Sequence, residues 1–346
     1  VTQSVPLIAL LLFAALAAIV VFSVAARFLR VPYPVIFVTG GAALAFVPHA
    51  PQIRPNPEWI FLIVLPPLLF SGGWMTDIAA FRKNLRPIAL LAIGLVLVTT
   101  FAVAGIARLI IAALPWAAAV TLGAVIAPPD PVAAETVMET LVVPQRVASI
   151  ISSEGLTNDA VSLVLFSLAT QAMVTGNFSV AMGVGEFFGV SIGGIAIGLA
   201  VGLLLEALQH LLARLEGTDS LVSSVALLVA PYASYLPADA AHVSGVLAAV
   251  AAGMYLGHRS VRIYDAQMRI TSRHFWDVLI LLINGVMFLL IGFQLRGIWH
   301  QVQGGPWHLV ETAVAILAAI TAVRFGWVFL TAYLPHAVSS GLRDRE

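Results

Sequence analysis

The sequence predicts an all-α polytopic membrane protein, and three observations carry that prediction. Of its 346 residues, 60% are hydrophobic and only 10% are charged, a balance of bilayer-spanning chains rather than soluble domains. The apolar residues gather into eleven runs separated by Pro, Gly and charged breakers, most of them near the ~20 residues that a helix needs to cross ~30 Å of hydrocarbon. The basic residues fall almost entirely into every second connection between those runs.

Taken in order, the first span covers 7–27 and is too long for a signal-peptide core. The second, 31–48, opens on Pro32 and Pro34, and the third, 59–75, contains the run LPPLLF. Spans four to seven cover 86–112, 116–142, 147–173 and 183–212. Spans eight to eleven cover 220–236, 240–257, 275–296 and 308–335. In the seventh, Gly194, Gly198 and Gly202 recur every fourth residue, a stripe that lets a neighbouring helix approach closely. The segment from His258 to Arg273, with four arginines, reads as a solvated amphipathic helix between spans.

The odd-numbered connections hold 13 Arg or Lys and the even ones 3. By the positive-inside bias, the odd connections and the last residue are cytoplasmic and Val1 lies outside. The chain has no cysteine, which excludes disulfides, thiolate metal sites and cysteine nucleophiles. A formal net charge of zero points away from nucleic acid and leaves the lipid bilayer as the partner. No cofactor is expected.

Chemistry concentrates in two consecutive spans. The fifth is interrupted by Ala127-Pro128-Pro129-Asp130-Pro131. Proline lacks the amide proton and clashes with the preceding turn, so Pro128, Pro129 and Pro131 cannot sit in a regular helix. Irregular backbone at membrane depth survives only where protein or a polar cavity satisfies it, and half-helix ends are suited to bind ions. The sixth span then delivers Glu154, Asn158 and Asp159 in SSEGLTNDAVSLVLF. Carboxylates at that depth cost roughly 2.5–3.5 kcal/mol each by insertion scales and usually carry function. Glu154 and Asn158, four apart, stack on one helix face, while Asp159 is turned by about 100°. Ser162, a further turn along, is an additional candidate oxygen ligand. Arg324 is the only basic residue deep in a span. Either it pairs with a carboxylate, Glu154 being the natural one, or it snorkels to an interface.

IAPPDPVA in one span followed by SEGLTNDAVSLVLF in the next resembles bacterial sodium/proton exchangers of the monovalent cation:proton antiporter family. The likeness extends through LPPLLFSGGW, HVSGVLAAVAAG and FWDVLILLINGVMFLLIGFQL. The resemblance implies an inverted-repeat antiporter fold: a first six-helix repeat over 1–176, a linker helix over 177–218, and a second repeat over 219–346 that is incomplete, with the chain truncated at its C-terminus. It implies residence in the bacterial inner membrane as a homodimer. By position, Asp159 resembles the carboxylate that binds monovalent cation or proton. Asn158 resembles the partner amide of the electroneutral branch, Asp130 the aspartate of the broken helix, and Glu154 with Arg324 the pair that braces the core. Pro129 stands where many relatives have threonine, Ser153 and Gly155 exchange the residues usual around the glutamate, and Asp239 replaces a common glutamate.

The implied activity is exchange of Na⁺, or another monovalent cation, for H⁺ by alternating access, with both ligands competing for Asp159. The alternatives are a non-transporting fragment or regulatory membrane subunit, and a cation channel. An enzyme is not expected: the histidines form no HExxH motif, and no intramembrane histidine is placed to activate Ser152 or Ser153.

Overall fold

The computed structural model describes residues 4–47, 56–129, 134, 137–138, 141–176, 180–215, 220–301 and 306–338. Among these residues the regular structure is helical throughout. The helices are α1 (Ser4–Leu29), α2 (Tyr33–Ala45), α3 (Pro57–Met75), α4 (Ile78–Lys83), α5 (Leu85–Ile110) and α6 (Trp116–Ile126). There follow α7 (Gln145–Thr175), α8 (Val180–Leu215), α9 (Ser220–Ala240), α10 (Gly245–Ile263), α11 (Ala266–Gln301) and α12 (Pro306–Val338). Each of the eleven predicted spans overlaps one of them, the fifth over 116–126 only, with much of its second half outside the described residues. The short α4 has no counterpart in the prediction.

Local chemistry sets several of the helix starts. Asn56 accepts from the Glu58 amide at 2.9 Å and Pro57 occupies the first helical position of α3, where a missing N–H costs nothing. Asp77 caps α4 through the Ala79 amide at 2.8 Å. Ser244 caps α10 through the Leu247 amide at 3.1 Å, which moves the ninth span's start from 240 to Gly245. His242, with φ of 55°, makes the left-handed turn before it.

The segment from His258 to Arg273 is not a separate amphipathic helix. α10 continues through it to Ile263, the chain turns at Tyr264 and Asp265, and α11 begins at Ala266. Asp265 accepts from the Met268 amide at 2.7 Å and so starts the new helix. Tyr264 packs its ring against Trp74, 5.9 Å between centroids. Burial there pushes its phenol up to about 12. A hairpin with a buried aromatic hinge replaces the solvated connection because one turn buries Tyr264 and caps α11 at once.

Two helix pairs approach at backbone distance through glycines on both partners. A Cβ on Gly73 of α3 would lie 2.5 Å from the Val250 carbonyl oxygen of α10, and one on Gly253 of α10 would lie 2.3 Å from that of Phe70 in α3. The same reciprocity joins α2 and α11: Gly41 faces the Leu289 carbonyl and Gly292 the Val38 carbonyl, at 2.3 and 2.0 Å. Around the first pair lies the main apolar cluster, with Phe70, Ala160, Ala230, Ala249, Leu256 and Trp276 buried together. A smaller one, Ile19, Phe37 and Leu289, joins α1, α2 and α11.

The glycine stripe of α8 packs on α10. A Cβ on Gly194 would lie 2.3 Å from the Ser244 oxygen and one on Gly198 2.2 Å from that of Ala248, while Gly202 faces the Tyr255 ring. The end of this contact nearest Arg259 is polar. Tyr255 donates to Glu206, and Arg259 approaches the same carboxylate at 3.6 Å. Gly198→Val should therefore separate α8 from α10 and cost about 1–3 kcal/mol, the usual range for overpacking a tight contact. Thermal melting in detergent measures it, with the exposed Leu204→Val as a control that should change little.

Candidate functional site

α7 carries three buried polar side chains at four-residue spacing: Glu154, Asn158 and Ser162, with relative exposures of 2%, 0% and 5%. They form a ladder on one face, with about 6 Å of helix rise between rungs. Leu156 and Ala160, on another face, enter the main apolar cluster. Val161 packs with Val96 of α5 and Ala127. Helix α7 is thus held on two sides by apolar contacts, and its polar rungs lie between them.

The first rung is tied to α12. Arg324 Nη2 donates to Glu154 Oε1 at 2.7 Å. The carboxylate is buried and the arginine side chain is one-third exposed. Of the two sequence-derived alternatives for Arg324, the structure contains the carboxylate pair.

The third rung is tied to the broken stretch. α6 ends at Ile126, and its last regular bond runs from the Ala127 amide to the Gly123 carbonyl at 2.9 Å. Pro128 has no N–H, so the Ala124 carbonyl, four residues earlier, loses its regular donor. The Ser162 hydroxyl donates to that carbonyl instead. A freed carbonyl in an apolar segment needs a substitute donor, and Ser162 fills that role. Its oxygen keeps lone pairs that can still face a cation. Pro67 in α3 repeats the device: it frees the Ile63 carbonyl, to which Tyr232 of α9 donates at 3.0 Å.

The middle rung is different. Asn158 is fully buried, and neither its Oδ1 nor its Nδ2 has a hydrogen-bond partner among the described residues. An unmatched buried polar group costs about 1–3 kcal/mol, so an amide carrying both a donor and an acceptor in this state calls for a partner that the described residues do not supply. Asp159, the next residue, is half-buried on the adjoining face. Pro128 and Pro129 are half-buried where the chain leaves α6. Asp130 and Pro131 lie outside the described residues.

Two features near the ladder have no signal in the sequence. The first is a π turn in α5, from Leu90 to Leu95, which a uniformly apolar run cannot announce because it has no periodicity to break. The second is Trp327, whose indole N–H donates to the Leu90 carbonyl at 3.0 Å. Its position one turn after Arg324 on α12 was the only available hint. Among the described residues no group of three or more His, Cys, Asp or Glu could hold a metal ion.

Comparison with known proteins gives a consistent result. The family model described as "Sodium/hydrogen exchanger, transmembrane" matches residues 11–345. The chain is 35% identical to the uncharacterized Na⁺/H⁺ exchanger YjcE of Escherichia coli, over 87% of this chain and 56% of that protein. It is 30% identical to the sodium, potassium, lithium and rubidium/H⁺ antiporter of Bacillus pumilus, over 87% and 46% of the two. The chain thus spans about half the length of the curated relatives it matches. The sodium proton antiporter MjNhaP1 from Methanocaldococcus jannaschii has the same fold, with a TM-score of 0.70 at 20% identity, covering 96% of this chain and 80% of that one. With the family model matched along nearly its whole length, the chain belongs to the sodium/hydrogen exchanger family of multi-pass membrane proteins, transporters rather than enzymes.

Proposed function

We propose that the protein exchanges a monovalent cation, Na⁺ in the first instance, for H⁺ across the bacterial inner membrane, with both ligands competing for Asp159. The observation that carries this reading is the fully buried Asn158 amide, which has no hydrogen-bond partner among the described residues and stands next to Asp159, between one rung that grips Arg324 and another that grips the broken helix. Asp159, the Asn158 oxygen and the Ser162 hydroxyl supply the oxygen-rich set that a hard cation prefers. Half-helix carbonyls add to it. The names of the relatives, which include sodium, potassium, lithium and rubidium among the cations, support a monovalent ion.

Low dielectric penalises the charged form of a carboxyl group. A site loaded with either a proton or a monovalent cation is neutral and can be carried past an apolar barrier. An empty, ionised site is held on one side, and this couples the two fluxes. Asn158 contributes no charge, so a single carboxylate exchanges one cation for one proton. Alternating access fits two packed repeats. Under a correspondence of α2 with α10 and α3 with α11, the close pair α2–α11 maps onto α10–α3, and the reciprocal glycines map with it. The boundaries 1–176, 177–218 and 219–346 are those the family resemblance implies, and that correspondence agrees with them. The arginine asymmetry supports an external N-terminus, and the family resemblance supports a homodimer.

The test uses the full-length protein in proteoliposomes with an imposed Na⁺ gradient. The expected result is proton movement that persists when the membrane potential is clamped and that generates no current itself. Half-saturating Na⁺ should rise by up to about tenfold per unit of acidification, the limit for one proton competing with one cation, with the maximal rate little changed. A generated potential overturns electroneutrality. Cation flux without proton movement favours the channel reading, which needs a continuous pore.

A further inference from the structure

α12 meets the rest of the molecule along a single narrow stripe. The half-buried residues Ile316, Ala319, Ile320, Val323, Arg324 and Trp327 recur at three- and four-residue steps, and their neighbours are exposed. Two side chains on this stripe reach polar partners in different helices. Arg324 reaches Glu154 of α7, and Trp327, one turn on, reaches the Leu90 carbonyl of α5.

The Leu90 carbonyl stands at the start of the π turn. Such turns are rare, occur as single-turn insertions in α-helices and gather at functional sites. The extra residue rotates everything downstream by about 100°, one residue's share of a 3.6-residue turn. Downstream lie Val96, 2% exposed and packed on Ala127 and Val161, and Thr100, fully buried. A Cβ on Gly123 of α6 would lie 2.2 Å from the Thr100 carbonyl oxygen. The face of α5 that meets both the broken stretch and the Asp159 helix is therefore the one the π turn selects. An unbroken α-helix would carry Val96 and Thr100 away from it. Gly94 makes the latch possible: a Cβ there would come within 2.5 Å of Trp327 Cζ2.

We propose that Trp327 is a positioning residue for cation binding. Its hydrogen bond to the Leu90 carbonyl, made across Gly94, holds the π turn and thereby the α5 face that packs on the broken stretch and on α7. The inference rests on reading Asp159 as the exchange site. Trp327 touches no transported ion. It acts through the register of α5, and loss of the latch lets that register relax toward a regular helix.

Trp327→Phe in the full-length protein keeps a ring and removes the N–H. Its half-saturating Na⁺ should rise roughly 3- to 10-fold, the equilibrium weight of one buried hydrogen bond. Amide hydrogen exchange over 90–95 should become faster, and Phe325→Leu, an exposed neighbour on the same helix, should move neither quantity. A merely structural role would lower the melting temperature and the active fraction while leaving half-saturation unchanged, and that result overturns the proposal. So does unchanged hydrogen exchange over 90–95. Should Trp327→Phe fail to fold, the pair Gly94→Ala and Trp327→Leu decides. Gly94→Ala alone should weaken Na⁺ binding by displacing the indole, and adding Trp327→Leu should cause no further loss. Additive losses overturn the latch. Failure of the Asp159 reading would appear separately, as exchange retained by an Asp159 variant, and would leave the hydrogen-exchange outcome interpretable.

Discussion

Asp159→Asn is expected to abolish cation-driven proton movement in proteoliposomes of the full-length protein. The substitution is nearly isosteric, and it replaces a group that can be charged or neutral with one that is always neutral. A permanently neutral site has nothing to release, so it can neither accept a proton in exchange for a cation nor hold the cation by charge. Folding should survive, because the amide matches the carboxylate in size and keeps a hydrogen-bonding oxygen at a half-buried position. A cooperative melt with exchange at background is the expected pair of results. Asp159→Glu, which keeps the carboxylate but lengthens its arm, should retain exchange with altered half-saturation. If Asp159→Asn still moves protons in response to a cation gradient, Asp159 is not the site and the mechanism fails with it.

The second large effect concerns stability. Arg324→Ala leaves the Glu154 carboxylate, buried on α7, without its guanidinium partner. Breaking a buried pair from one side costs about 3–5 kcal/mol, mostly because of the charge left behind. Arg324 is one-third exposed, so water already screens part of the attraction and the lower end of that range applies. The double variant Glu154→Gln with Arg324→Gln should recover most of the loss, since it strands no charge. Calorimetric or fluorescence melting of the wild type, Glu154→Gln, Arg324→Gln and their double variant gives the coupling directly. If the double variant is as destabilised as Arg324→Ala alone, stranded charge is not the cause. Arg324→Ala should also slow exchange, because the same stripe of α12 holds the π turn of α5 through Trp327.

Much of this arrangement was legible in the residue order, for reasons that differ by element. The spans could be drawn because a bilayer demands ~20 apolar residues at a time. Pro128 announced the break in the fifth span through its missing N–H. Glu154 and Asn158 were placed on one face by helical spacing alone. The hairpin at Tyr264 was not legible, since a run with four arginines resembles a solvated helix unless the Trp74 ring that buries Tyr264 is known. The π turn at Leu90–Leu95 was equally hidden, because an all-apolar helix looks the same in either register.

Order along the chain alone determined the class of molecule, its spans, the break at Pro128 and where ionisable side chains fall within the apolar runs. These are consequences of hydrophobic length, proline geometry and the cost of charge in hydrocarbon, all of which act locally. Tertiary structure alone decided which freed carbonyl receives the Ser162 hydroxyl, which carboxylate Arg324 grips and that Asn158 keeps its amide unpaired among the described residues. Those are contacts between helices far apart in the chain, set by how closely Gly123 and its neighbours let the backbones approach, and spacing within a single helix carries no record of them.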